Sequence, residues 1–235
     1  MFGPDGPALH QLLRQALSST ERGYDLLAPR FDATPFRTPD ELLRQVESVI
    51  SAGGTPRRGL DLCCGTGAGL AMLARVCADE VVGLDSSQGM LDEAARRLAG
   101  LPGAPARLVR GDALRSPFQG GFDVVTCFGA FGHIREHEQP ALLRSVRRAL
   151  APEGRFVFLT GYALGPHRPA WWLLRGFNAA MHVRNRVVRP PFHMYYLNFT
   201  VPDIVPRFEA AGMRLVLHPA TWHGRSFVIG VATPA

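Results

Sequence analysis

The sequence predicts an α/β fold with a mainly parallel, twisted sheet, and three apolar runs are the basis for that prediction. The first lies in Arg57 to Leu70, RRGLDLCCGTGAGL, and passes through a glycine-rich turn directly into a helix-forming stretch. The other two, Glu80 to Leu84 and Ala106 to Arg110, are followed by Asp85 and Asp112. Short apolar runs that alternate with helices are typical of buried parallel strands. We therefore expect these strands to end at one sheet edge, where open α/β sheets bind ligands.

Length, composition and charge agree with an enzyme-sized globular domain. The chain has 235 residues, of which 46% are hydrophobic, which suits one α/β domain with additions. All 26 basic residues are arginines and the net charge is +6. The arginines are dispersed in pairs such as Arg57-Arg58, Arg96-Arg97 and Arg147-Arg148. Because they form no single basic stripe, nucleic acid is not the favoured partner.

The cysteines and the apolar runs bear on the compartment. Cys63, Cys64, Cys77 and Cys127 fall in predicted strands or helices, where a free thiol packs as a small hydrophobe, so we predict no disulfides. No apolar run approaches the ~18 residues of a membrane span, and the first twenty residues do not read as a secretion signal. We expect a cytoplasmic protein without a transmembrane segment.

The glycine-rich turn is the first candidate binding element. Gly65, Gly67 and Gly69 alternate with small residues, so a ligand can approach the main chain without meeting a Cβ. The helix that follows offers free N–H groups to the same ligand. A dinucleotide fingerprint, Gly-x-Gly-x-x-Gly, requires its third glycine at the position of Leu70. This mismatch weakens the interpretation as an NAD(P)-dependent oxidoreductase, which stays open as an alternative.

The motifs together resemble the class I, Rossmann-like family of S-adenosylmethionine-dependent methyltransferases. Asp61 followed by the three alternating glycines matches the family's first motif, and Asp85, in VVGLDSSQGMLDEA, matches its second acid. Asp112-Ala113 matches the third, and the strands Phe122 to Cys127 and Leu150 to Leu159 match the fourth and fifth. The likeness extends from about Leu60 to Leu159. It implies a three-layer fold with a final antiparallel strand pair, supplied here by Met213 to Leu217 and Phe227 to Ala232.

The resemblance implies S-adenosyl-L-methionine as cofactor, with its methionine end at the first motif. It places the Asp61 carboxylate against the cofactor's ammonium, directly or through water. Gly65 and Gly67 would let the methionine and ribose portions lie along the backbone. The Phe128 carbonyl, just after the fourth strand, is a further candidate partner of the ammonium.

The same resemblance assigns the adenosine end to the second and third motifs. Asp85 would accept hydrogen bonds from both ribose hydroxyls, while Ser86 and Met90 line the adenine. Asp112 would accept from the adenine amine, and the Ala113 N–H would donate to the ring. Each acid, taken singly, can also be a helix cap or a surface charge.

His133 is the candidate catalytic residue. It follows the fourth strand at the sheet edge, where it can face the substrate as a base or orienting group; packing or capping is the alternative. His133 to His137, HIREH, also matches a zinc-protease pattern, His-x-x-Glu-His. That pattern needs an established helix and a distant third ligand, so we predict no metal.

Two segments outside the motifs are predicted to enclose the site. Residues 1–54 form a helical segment that covers the cofactor; it includes a helical stripe of leucines from Ala8 to Leu17 and a possible active-site wall residue, Tyr24. Residues 55–235 form the methyltransferase core, and an aromatic- and arginine-rich cap is inserted at about 162–199. From the cap we select Tyr162, Trp171, His193 and Tyr196 as substrate-binding residues. Three roles remain open for the cap: a lid over the substrate, a basic face that touches a membrane or a lipid-like substrate, and a dimer contact.

The sequence thus predicts an enzyme that methylates an oxygen, nitrogen or carbon of a small aromatic or lipophilic acceptor. The alternatives are the oxidoreductase and a non-catalytic protein that binds S-adenosylmethionine. A homodimer and a peripheral membrane contact stay open.

Overall fold

The computed structural model describes residues 6–8, 11, 14–15 and 17–235. Most of the leucine stripe predicted from Ala8 to Leu17, including Leu9, Leu12 and Leu13, lies outside the described residues. Among the described residues, no helix is both long and apolar enough to cross a bilayer.

The described residues form one mixed sheet of eight strands. Its strands are β1 (Arg58–Leu62), β2 (Glu80–Asp85), β3 (Ala106–Arg110), β4 (Phe122–Cys127), β5 (Leu150–Tyr162), β6 (Thr200–Val201), β7 (Met213–Trp222) and β8 (Arg225–Pro234). The order is β3-β2-β1-β4-β5-β8-β7, with β6 beside β5. The first five strands pair in parallel, whereas β8 is antiparallel to both β5 and β7. The predicted α/β fold with a final antiparallel pair is confirmed.

Seven helices flank the sheet in the described part of the chain. They are α1 (Thr20–Leu27), α2 (Asp40–Ala52), α3 (Ala68–Val76), α4 (Gln88–Leu98), α5 (Gln139–Ala149), α6 (Pro169–Val187) and α7 (Val205–Ala210). Short 3₁₀ turns occupy Ala28–Ala33, Ala113–Arg115, Phe131–His133 and Glu136–Glu138.

The core has two parts, one on each face of the sheet. On one face, Leu60 and Leu62 of β1 pack with α5 and α7 through a group of phenylalanines that includes Phe156 and Phe158. On the other face, Val81 of β2 packs with residues of α2 and α3. Because both faces are covered, the central strands are apolar at nearly every position, which made them visible in the sequence.

The final hairpin is longer than predicted. Strands β7 and β8 pair as far as Trp222 and Arg225, and His223 and Gly224 form the turn with φ of 45° and 70°. A two-residue hairpin turn needs positive φ at both positions, so His-Gly was the sequence signal for this extension.

The chain between β5 and β6 forms the cap. It consists of α6 and a loop, residues 188–199, that returns to the sheet at β6. Met181 is the buried residue of α6, and hydrogen bonds from Asn178 and Asn185 to the loop backbone supply much of the remaining attachment. Strand β6, not predicted, joins this loop to Gly161 and Tyr162 of β5.

Candidate active site

The candidate site lies where the chain reverses direction across the sheet. From β1 the chain winds outward to β2 and β3, and then returns to place β4 on the other side of β1. Such a switch point leaves a crevice at the carboxyl ends of the strands. Cys63, Asp85 and Phe128 immediately follow or end β1, β2 and β4 and meet at this crevice.

The turn after β1 brings bare backbone to the crevice. Cys63, Gly65 and Gly67 all have positive φ, of 55°, 51° and 80°. No atom lies within 4 Å of the place where a Cβ on Gly65 would project, so this stretch of main chain faces open space. At Gly69 the reason for glycine is different, because a Cβ would lie 2.7 Å from Asp61 Oδ2 and 2.8 Å from the Phe128 ring.

Asp85 ties the end of β2 to that turn. Its Oδ2 accepts from the Gly65 N–H at 2.8 Å and its Oδ1 accepts from the Ser87 N–H at 2.9 Å. Burial raises the pKa of Asp85 above its ordinary value, and the backbone N–H groups oppose that rise. Since each carboxylate oxygen has more than one lone pair, both retain acceptor capacity for a pair of hydroxyls.

Asp61 is a buried carboxyl, 2% exposed, on β1. Its pKa is raised to about 7, mainly because the group is buried, and the nearby Asp85 adds to the rise. The Thr126 hydroxyl, which donates to Oδ1 at 2.7 Å, opposes the rise. Among the described residues Asp61 has no ion-pair partner. A buried acid without a counter-ion at the wall of a crevice is suited to a cationic ligand, because burying a charge is costly unless it is paired.

Two small cavities extend along the crevice. One of about 50 Å³ is lined by Asp61, Gly69 and the adjoining turn, and one of about 130 Å³ by Asp85, Ser86 and Met90. Cys63, Gly65 and Phe128 line both, so the two cavities adjoin. Asp61 lies at one end of the two cavities, where it suits a cation, and Asp85 lies at the other end, where it suits hydroxyl groups. These two hydrogen-bond acceptors fit the ammonium and the ribose of S-adenosylmethionine.

Three predicted cofactor residues, Gly67, Asp112 and Ala113, are not among the residues that line these cavities. Gly67 caps α3, and a Cβ there would meet Ala94 at 3.0 Å. Asp112 is exposed and accepts from the Leu114 N–H at 2.9 Å, while Ala113 is buried in the core. The structure therefore brings six of the nine predicted cofactor residues to the cavity walls: Asp61, Gly65, Asp85, Ser86, Met90 and Phe128.

Sequence reasoning missed Asp25, which holds the segment that follows Asp85. The Asp25 Oδ1 accepts from the Ser87 hydroxyl at 2.5 Å and from the Gly89 N–H at 3.0 Å, which joins α1 to the first turn of α4. Nothing in the local sequence marks it, because the contact spans sixty residues of chain. Cys63 was also missed as a wall residue; a positive φ at a non-glycine residue is not evident from sequence.

A larger cavity of about 520 Å³ opens next to the cofactor crevice. Tyr24, Gly129 and His133 line both this cavity and the one beside Asp85. Its other walls come from five parts of the chain, namely the loop before α2, the turn after β4, the end of β5, the cap loop and the β7–β8 hairpin. The aromatic members are Phe36, Phe131, Tyr195, Tyr196, Phe199, Trp222 and Phe227.

The predicted substrate residues divide into three groups. Tyr24 and Tyr196 line the 520 Å³ cavity. His193 lines a separate outer cavity of about 620 Å³, on which Tyr196 also lies. Tyr162, 50% exposed, and Trp171, which packs on Trp172 and under Arg175, are not among the residues that line either cavity.

His133 makes hydrogen bonds through both ring nitrogens. Nδ1 lies 2.5 Å from the His193 carbonyl oxygen, and Nε2 lies 2.6 Å from the Tyr24 hydroxyl. Because a carbonyl can only accept, Nδ1 is protonated, and in the neutral ring Nε2 accepts from the Tyr24 O–H. Burial lowers the pKa of His133 and raises that of Tyr24, so both are neutral near pH 7. The pair forms a hydrogen-bonded dyad at the boundary of the two cavities.

The HIREH match has no metal-site geometry around it. His133 ends one 3₁₀ turn and His137 lies in another. In the part of the chain that the structure describes, no three His, Cys, Asp or Glu side chains are grouped to hold a metal ion.

The fold and the crevice define an α/β protein with a candidate ligand site at its switch point, and comparison with known proteins identifies the class. A family model for a methyltransferase domain matches residues 60–154. The chain is 33% identical to a 2-phytyl-1,4-naphtoquinone methyltransferase of Synechococcus elongatus, over 69% of this chain and 70% of the relative. It is 36% identical to a demethylmenaquinone methyltransferase of Thermotoga maritima, over 80% and 82%. The solved DhpI–SAH complex superposes with a TM-score of 0.68 at 21% identity, covering 97% of this chain and 99% of that one.

The chain belongs to the class I S-adenosylmethionine-dependent methyltransferase family. The predicted enzyme class and the predicted cofactor are thereby confirmed, in place of the nicotinamide-dependent and non-catalytic alternatives.

Proposed function

We propose that this enzyme transfers a methyl group to an oxygen, nitrogen or carbon of a small aromatic or lipophilic acceptor that binds in the 520 Å³ cavity. The observation that carries the proposal is the shared wall of Tyr24, Gly129 and His133 between that cavity and the cofactor crevice. The aromatic lining favours burial of a flat or apolar molecule. The names of the relatives, which are methyltransferases of a naphthoquinone and of demethylmenaquinone, support the same acceptor class.

The chain's own residues would hold the cofactor by its two charged or polar ends. Asp61 would pair with the ammonium, Asp85 would accept from the ribose hydroxyls, and the backbone at Gly65 would contact the ligand between them. Ser86 and Met90 line the adenine end, with Asp112 and Ala113 nearby, since the Gly111 N–H donates to the Asp85 carbonyl at 2.9 Å. When bound, the cofactor supplies an electrophilic methyl group on a sulfonium, so the protein's task is mainly to align the acceptor and exclude water.

The Tyr24–His133 dyad would remove the acceptor's proton where the acceptor is a hydroxyl. The Tyr24 oxygen accepts a hydrogen bond from that hydroxyl while its own proton points to His133 Nε2. Transfer of the acceptor's proton to Tyr24 and of the Tyr24 proton to Nε2 leaves an imidazolium and a nucleophilic oxygen. The His193 carbonyl favours this direction because it fixes the tautomer with Nε2 free.

The N-terminal segment, residues 1–54, would act as the cover of the cofactor site. Asp32 accepts from the Thr66 hydroxyl at 2.7 Å and pairs with Arg97, and Asp25 binds the start of α4. These contacts of Asp25 and Asp32 with α4 and the glycine turn support that role. A cytoplasmic location is supported by the four free thiols, since disulfides are rare in that compartment. The sequence left open a homodimer and a peripheral membrane contact, and the exposed face of α6 favours the membrane contact.

The proposal is tested by calorimetry with S-adenosylhomocysteine followed by methylation assays on a panel of reduced naphthoquinones, phenols and amines. We expect micromolar-range cofactor binding and turnover confined to aromatic or lipophilic acceptors. Turnover of small hydrophilic amines alone would contradict the acceptor class.

A further inference from the structure

We propose that the outward face of α6 docks on an anionic lipid surface. The inference goes beyond methyl transfer, because it concerns a surface that touches neither the cofactor crevice nor the Tyr24–His133 dyad.

The helix presents two faces of different character. Its inward face carries Asn178, Met181 and Asn185, three or four residues apart, and these attach to the cap loop. Asn178 exchanges two hydrogen bonds with the Tyr196 backbone, of 2.8 and 2.9 Å, and Asn185 exchanges two with that of Phe192, of 3.0 and 2.9 Å. The inward face is thus fully used by the protein.

The opposite face is apolar and open to solvent. Its large side chains are Trp172, Leu173, Val183 and Val187, which are 64%, 74%, 59% and 78% exposed. Gly176 and Ala180, both exposed, lie between them at helical spacing and leave no polar side chain in the row. Single exposed apolar residues are common, but a row of them along one helix marks an interaction surface.

Arginines border this apolar row. Arg168, Arg175 and Arg186 are spaced by two and three helical turns, so they share one flank of the helix. Among the described residues no ion pair engages them, and Arg175 instead lies over the Trp171 ring at 5.4 Å. From Gly154 to Pro202 the sequence contains no aspartate or glutamate. A row of apolar side chains flanked by cations on an otherwise acid-free segment is complementary to the interface of an anionic bilayer.

A second copy of this chain fits the same surface poorly. In a two-fold dimer the same patch contacts itself, so the arginines of one protomer would approach those of the other without acids to separate them. Charge complementarity therefore favours the lipid surface as the occupant.

Docking there would bring the acceptor cavity close to a source of lipophilic acceptors. Asn178 and Asn185 bind the loop whose residues Met194 to Phe199 form one wall of that cavity. If the proposed acceptor class is wrong, the docking surface stands or falls independently, because vesicle binding requires no acceptor.

The test is flotation of the full chain with vesicles of phosphatidylcholine alone or with 30% phosphatidylglycerol, at about 0.1 M salt. We expect binding to the anionic vesicles, at least tenfold weaker binding to the neutral ones, and loss at 0.5 M salt. The double variants Trp172→Ser/Leu173→Ser and Arg175→Gln/Arg186→Gln should each reduce bound protein at least fivefold. The control Arg144→Gln/Arg147→Gln removes the same charge from the exposed surface of α5 and should bind like the parent.

Circular dichroism and S-adenosylhomocysteine affinity verify that each variant is folded. Equal binding by the α6 variants and the parent, or no binding to anionic vesicles by the parent, would overturn the proposal. Sedimentation that shows a dimer converted to a monomer by Trp172→Ser/Leu173→Ser, without vesicle binding, would assign the face to a second copy instead.

Discussion

The cofactor half and the acceptor half of the site are built in different ways. The candidate cofactor half consists of strand ends, a glycine turn, the buried Asp61 and the partly buried Asp85, whose positions follow from the sheet. The acceptor half is assembled from side chains of segments far apart in sequence, and its cap is attached largely by hydrogen bonds between α6 and one loop. In the proposed function the first half binds the cofactor and the second half selects the acceptor. Substitutions in one half should therefore leave the ligand of the other half largely unaffected.

The largest effect is expected at the dyad. For an acceptor that must lose a proton, His133→Phe should lower kcat by about 10²- to 10⁴-fold, the usual contribution of a positioned base. Tyr24→Phe keeps the ring contact with His133 and removes the hydroxyl, and it should fall in the same range. The affinity for S-adenosylhomocysteine should change less than threefold in both. Because burial lowers the pKa of His133, kcat/KM of the parent should stay constant as the pH is lowered past 6.5 and should decline only at lower pH. Unchanged turnover in both variants would mean that Tyr24 and His133 only pack together and do not act as a base.

The substitution Asp85→Ala tests the candidate cofactor half of the site. Loss of a charged acceptor for two hydroxyls costs about 1.5 to 3 kcal/mol, so S-adenosylhomocysteine should bind about 10- to 150-fold more weakly by calorimetry. Asp123→Ala is a matched control, since Asp123 also accepts from two backbone N–H groups, those of Arg57 and Arg58, both at 2.8 Å, at the opposite end of the sheet. If both variants lose affinity equally, the effect comes from the fold and not from ribose recognition.

Asp61→Asn should have opposite effects on stability and on cofactor affinity. The folded pKa of about 7 exceeds the ordinary 3.8, so the native state holds more protons between those values. The free energy of unfolding should therefore fall as pH rises from about 4 to 7, by at most ~1.4 kcal/mol per unit, and then level off. The Asn variant should lack this decline and be the more stable protein at pH 8. It should also bind S-adenosylhomocysteine more weakly there, because a neutral amide does not pair with an ammonium. Urea titrations from pH 5 to 8.5 measure the first effect, and a parallel decline in the variant would assign it to another group.

The smallest effects are expected in the outer cap. Tyr196→Ala should raise the acceptor's KM several-fold, because Tyr196 lines the cavity, whereas Trp171→Ala and Tyr162→Ala should stay within about twofold. Steady-state kinetics with one acceptor at saturating cofactor make the comparison. A larger effect from Trp171 than from Tyr196 would mean that the acceptor binds farther out on the cap than the cavity indicates.

The sequence signals for the candidate cofactor half are local. An acid, an alternating row of glycines and apolar strands appear within short windows, and the parallel sheet then brings Asp61, Gly65 and Asp85 together. The acceptor half depends on tertiary contacts over long distances. His133 meets Tyr24 across more than a hundred residues, and Trp222 reaches the cavity only because the β7–β8 hairpin is longer than its apolar run indicates. The density of aromatic residues in the cap led to the selection of both Tyr196 and Trp171, but it could not show that only Tyr196 of these two lines the 520 Å³ cavity.

Tyr24 and Asp25 are neighbours on α1, yet one reaches the dyad and the other the start of α4 at the adenosine end. A rigid movement of this helix cannot release one contact without disturbing the other. Any displacement of α1 that breaks the Asp25–Ser87 contact would therefore also separate the Tyr24 hydroxyl from His133 Nε2, so the geometry of the proposed base is coupled to the position of this helix.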